Sequence, residues 1–100
     1  MTRSLRIHAQ ATLELGAAIR WYEAMRVGLG REFLDEVVET VERIESIPEV
    51  GSPMSADRRT RRLLVPRFPY QVIYRIRTEE VVLVAFAHLK RQPGYWRNRA

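Results

Sequence analysis

One hundred residues hold material for one hydrophobic core, so a single domain over 1–100 is expected. The apolar share of 46% against a charged share of 29% is the balance of a globular chain and excludes a disordered one. Cysteine is absent, which excludes a disulfide framework, a thiolate zinc site and a cysteine nucleophile, and His8 and His88 are too few for a histidine-rich metal site.

The net charge of +5 is unevenly spread. Residues 1–57 carry six arginines against ten acids, a balance of −4, whereas residues 58–100 carry ten arginines and Lys90 against Glu79 and Glu80, a balance of +9. Sixteen of the 17 basic residues are arginine, the side chain that grips phosphates and carboxylates through paired hydrogen bonds. Either these arginines face an anionic partner, or they pair with the acids of the first half.

Leu5 to His8 alternates and is predicted as a first strand. From Gln10 the period lengthens: Leu15, Ala18, Tyr22 and Met25 form one helical stripe, widened by Ile19 and Trp21, and all are expected in the core. Gly28-Leu29-Gly30 ends that helix, because glycine tolerates the left-handed backbone of a helix stop. A second helix from near Arg31 carries Phe33, Val37, Val41 and Ile44 on its apolar side, with a solvated acidic face from Glu32 to Glu45, and closes at Ile47-Pro48. Residues 48–60 read as a loop rich in turn formers.

Three strands follow: Arg62 to Val65, Tyr70 to Ile76, and Val81 to Ala87. The middle one alternates Tyr70, Val72, Tyr74 and Ile76 against Gln71, Ile73, Arg75 and Arg77, while the last is apolar on both faces and therefore central. That last run is seven residues, far short of the roughly 20 that cross a bilayer, so no membrane partner is expected. Residues 1–4 carry no apolar signal, and a cytoplasmic protein is expected. The short links require antiparallel neighbours. The expected fold is α+β, in the order β-α-α-β-β-β, with a helical hairpin on one face of a small, mostly antiparallel sheet. No helix remains for the other face, which is expected to be bare and lined by Arg75 and Arg77.

Several pieces in order resemble the RelE/ParE superfamily of toxins from type II toxin–antitoxin systems, the plasmid stabilisation type. They are Ala18 to Glu23, Gly28 to Phe33, Ile47-Pro48, Phe68 to Arg75, and Val84 to His88 followed by Arg91, Pro93, Tyr95 and Trp96. The resemblance implies a toxin that arrests bacterial growth when free. Its regulator would be a cognate antitoxin, with an acidic or disordered C-terminal segment that wraps it in a hetero-oligomeric complex. It implies no metal and no cofactor.

Two mechanisms divide the superfamily. RelE-type members cut messenger RNA on the ribosome, and ParE-type members poison DNA gyrase by binding. RelE-type nucleases often carry an arginine after the aromatic residue that opens the third strand, where this chain has Gln71. They often carry another at the end of the last strand, where this chain has His88-Leu89 and the nearest arginine is Arg91. Losing one cation that stabilises transition-state charge costs on the order of 3 kcal/mol, about a hundredfold in rate. The expectation is therefore a ParE-like binder, leaning away from an enzyme.

The alternatives are a metal-independent mRNA endoribonuclease using His88, Arg91 and Tyr95, and a non-toxic nucleic-acid-binding or decayed module. Candidate contacts for target or antitoxin are Arg61, Arg62, Gln71, Arg75, Arg77, Lys90, Trp96 and Arg97. Tyr95 and Trp96 suit either stacking on unpaired bases or anchoring the tail.

Overall fold

The computed structural model describes residues 3–100. Its elements are β1 (Ser4–Ile7), α1 (Ala9–Met25), α2 (Leu29–Ser46), β2 (Ser52–Pro53), β3 (Thr60–Leu64), β4 (Tyr70–Ile76) and β5 (Glu80–His88), with one 3₁₀ turn over Pro48–Val50. The strands form one sheet in the order β1-β5-β4-β3-β2. β1 runs parallel to β5 and every other pair is antiparallel. The α+β expectation holds, with β5 inside the sheet as its two apolar faces require.

The helical hairpin turns on two glycines. Gly28 has φ +90°, a left-handed backbone that side chains resist. A Cβ on Gly30 would stand 2.8 Å from the Ile19 carbonyl oxygen, so the helices close to this distance only over glycine. The Glu23 carboxylate accepts from the backbone N–H of both, at 3.0 and 3.1 Å, and so satisfies donors at the start of α2. This cap lets α2 begin at Leu29, two residues before the predicted start.

Ala11, Ala18, Tyr22, Phe33, Val37 and Ile44 pack on the sheet face made by Val72, Tyr74, Ile76, Val81, Leu83 and Phe86. Trp21 and Met25 do not join them: they are 65% and 63% exposed. The small residues Ala11 and Ala18 bring α1 close to the sheet, and only a narrow stripe is covered. The segment read as a loop holds the 3₁₀ turn and β2. It is fastened from the core: the buried Tyr74 hydroxyl donates to the Pro48 carbonyl (2.6 Å) and accepts from Gly51 N–H (2.8 Å).

The second sheet face is not bare. A register shift against Ile73 and Tyr74 bulges β5, so Val84 and Ala85 both point away from the helices and Phe86 returns to the helix side. On the far face Ile73, Val82, Val84, Ala85 and Ala87 are covered by the tail, through buried Trp96 and half-buried Tyr95. The expectation of an open arginine-lined face is thus corrected: a strand apolar on both sides needs a cover on both, and the tail supplies the second.

Candidate functional site

β1 partners β5 only as far as Leu83. Beyond it the edge of β5 is closed by side chains. Phe86 N–H donates to a Glu14 carboxylate oxygen (3.1 Å), and the Val84 carbonyl accepts from the Arg99 guanidinium (3.1 Å). Glu14 also accepts from Arg99 through both oxygens at 3.0 Å and from the Tyr95 hydroxyl at 2.7 Å. One carboxylate on α1 therefore protects an open strand edge and ties down the tail. Burial, then the hydrogen bond to Glu14, push the Tyr95 hydroxyl far above its ordinary pKa, so it stays protonated.

Beside this network lies an open cleft of about 330 Å³, lined by Glu14, Ala17, Trp21, Tyr70, His88 and Arg91. His88 is half-buried at the end of β5, its ring edge-on to Tyr70 at 5.1 Å. Its Nδ1 accepts from Lys90 N–H at 3.0 Å, so the ring donor is Nε2. The Arg91 guanidinium lies 4.0 Å from the centre of the Tyr95 ring. Among the described residues no group of three or more His, Asp or Glu side chains is placed to hold a metal ion.

A family model described as "ParE toxin of type II toxin-antitoxin system, parDE" matches residues 5–93. This chain belongs to the ParE toxin family. Among solved structures, a chain titled "Chromosomal ParDE TA system from P. aeruginosa" aligns with TM-score 0.74 at 19% identity, over 87% of this chain and 96% of that one. No curated protein is a significant match.

In this ParE-family toxin the residues singled out from sequence fall into separate groups. His88 and Arg91 meet in the cleft, and Tyr95 stands behind Arg91 with its hydroxyl turned to Glu14. Trp96 is buried as the tail's anchor. Arg75 donates to the carbonyls of Arg97 (3.0 Å) and Arg99 and lies under the Trp96 ring at 5.7 Å, so its charge holds the tail. Burial, then the charge of Arg77, lower its pKa. Arg61 is 7% exposed, and its guanidinium donates to the carbonyls of Glu49, Gly51 and Arg58 at 2.8–3.0 Å.

Arg62 and Gln71 line a different groove, on the outer side of β3 and β4. There the Gln71 amide oxygen is buried without a partner among the described residues. Lys90 and Arg97 are exposed on the tail side, and Arg77 sits past the end of β4. The acidic face of α2 is not simply solvated: Glu32 and Glu36 pair with Arg67 at 2.8 and 3.2 Å.

Glu14, which holds the tail and the β5 edge beside the cleft, is the side chain that sequence reasoning missed. Its signal was one acid within the apolar period of α1, between Leu13 and Leu15 and one turn before Ala18. His8, given no role from sequence, caps α1: its Nδ1 accepts from Gln10 N–H at 3.0 Å.

Proposed function

We propose that this ParE-family toxin arrests bacterial growth from the cytoplasm by gripping a macromolecular target. DNA gyrase is the target that the resemblance to ParE-type members implies. The observation that carries this reading is the commitment of both proton-transfer candidates. The Tyr95 hydroxyl donates to Glu14, and His88 Nδ1 is held by Lys90 N–H. A ribonuclease needs a free base for the ribose hydroxyl and a free acid for the leaving oxygen, with cations between them. The cleft offers Arg91 alone as a cation that no carboxylate has taken, and Gln71 stands where the nucleases place another.

The regulator is a cognate antitoxin with an acidic C-terminal segment. Leu13, Ala17, Trp21 and Met25 recur every fourth residue of α1, all exposed, and Trp21 borders the cleft that holds Arg91. An apolar ridge beside cationic groups suits an amphipathic acidic segment, steered by charge and seated by its apolar side.

Induced expression tests the mechanism. Growth arrest with broken DNA and intact messages is expected. Codon-phased message cuts, reduced by His88→Ala and Tyr95→Phe, would overturn it in favour of an mRNA endonuclease, and no arrest at all would favour the inactive-module reading. Trp21→Ala combined with Met25→Ala should weaken neutralisation by the antitoxin while leaving arrest intact.

A further inference from the structure

A second cleft, of about 450 Å³, opens at the other end of β4. Arg3, Arg58, Arg59 and Arg77 line it, with Ile76 and Thr78 between them. The four arginines are brought together by the backbone. Ile76 N–H donates to the Arg59 carbonyl at 2.8 Å, and the Arg3 guanidinium donates to the Arg77 carbonyl at 2.8 Å. All four are exposed, and among the described residues none forms a salt bridge.

The loop that presents Arg58 and Arg59 is braced. Asp57 accepts from the Ser55 hydroxyl and from Arg59 N–H (3.0 Å), and those hydrogen bonds keep its carboxyl below the usual carboxylate range. Arg58 holds φ at +62°, an uncommon conformation outside glycine, and the buried Arg61 guanidinium fixes its carbonyl at 3.0 Å. Four exposed guanidiniums thus share the cleft with two carboxylates, Glu49 and Asp57, and the backbone that carries Arg58 and Arg59 is held in place while their side chains stay free for a ligand.

From this arrangement we infer that the cleft binds the phosphodiester backbone of duplex DNA. Arginine forks match phosphate oxygens. The lining has no aromatic ring on which an unpaired base would stack, which disfavours a single strand. Ile76 is its one large apolar residue and is buried, so an acidic peptide would find no anchor there, unlike on the α1 ridge. This goes beyond the proposed function and does not require gyrase as the target: it assigns the toxin a DNA contact of its own.

The test is binding of the free toxin to a 20-base-pair DNA duplex of arbitrary sequence across a salt series. Each neutralised phosphate contributes about 0.9 to the slope of log K against log salt. The triple variant Arg58→Gln/Arg59→Gln/Arg77→Gln should reduce that slope by about 2–3 and weaken binding at least tenfold at 0.1 M salt. The equally discharged Arg20→Gln/Arg31→Gln/Arg43→Gln, on the helices, should change the slope by less than about 1. Equal effects of the two triples would overturn the inference, as would an unchanged slope or tighter binding of a polyglutamate peptide or of single-stranded DNA than of the duplex. Because the three side chains make no internal hydrogen bonds among the described residues, the thermal midpoint of the triple variant should match the parent's. Arg59→Gln alone, with a slope change near 1, carries the same test if the triple variant is poorly folded. Growth arrest on induction reads the proposed function separately: arrest without duplex binding overturns only this inference.

Discussion

Two sets of arginines from the same basic half of the chain behave in opposite ways. Arg61, Arg75 and Arg99 are turned inward and donate to backbone carbonyls or to Glu14, holding the 48–59 segment and the tail. Arg58, Arg59 and Arg77 are turned outward at one end of the sheet. A guanidinium has five donors and an always-charged head, so it serves as a structural rivet wherever carbonyls converge and as an anion site wherever they do not. Net charge along the chain therefore overstates the charge available to a partner, and the backbone decides which arginines remain.

Removing an acceptor from the inward set should have the largest effect. Glu14→Ala leaves Arg99 without its carboxylate and the Tyr95 hydroxyl and Phe86 N–H without an acceptor, and should cost about 3 kcal/mol in urea unfolding, with faster hydrogen exchange at Phe86. A loss under about 1 kcal/mol would mean that this network does not hold the tail. Arg61→Met should follow, at about 2 kcal/mol, since three carbonyls lose a charged donor while the methylene packing is kept. Tyr74→Phe should act on the same segment by about 1–2 kcal/mol, and the pair should be non-additive in a double-mutant cycle.

Alkaline pH offers a gentler probe of the inward set. The Tyr22, Tyr70, Tyr74 and Tyr95 hydroxyls all have pKa values raised, chiefly by burial. The unfolded chain ionises them near pH 10, while the folded chain keeps them neutral. Their contribution is thus complete below about pH 10 and is lost as pH rises beyond it, so the thermal midpoint should fall from pH 9.5 to 11.5, less steeply in Tyr95→Phe. On the acid side Glu32, Asp57 and Glu80 are depressed by hydrogen bonds from Arg67, Ser55 and Arg6 respectively, and their contribution is lost as pH falls below the usual carboxylate range. The smallest effect belongs to Arg67→Gln, whose ion pairs with Glu32 and Glu36 are exposed and screened, so its midpoint should match the parent's within error at 0.15 M salt.

The sequence by itself determined the element order apart from the 3₁₀ turn and β2, the helical hairpin with its glycine turn, the alternation of β4 and the interior place of β5. Each follows from period, glycine conformation or link length, which are local properties of the chain. It also carried the family resemblance, and it singled out His88, Arg91 and Tyr95 as the candidate group of the nuclease alternative. Only the tertiary structure decided what covered the second face of the sheet. A one-residue bulge in β5 redirects Val84, Ala85 and Phe86, and no local pattern announces it. The fastening of the tail to Glu14 joins residues 81 and 85 positions apart, and the cluster of Arg3 with Arg59 and Arg77 brings the start of the chain to the segments before β3 and after β4. Whether a charged side chain becomes a rivet or a free contact depends on which carbonyls and carboxylates the fold brings within 3 Å of it, and sequence distance holds no record of that.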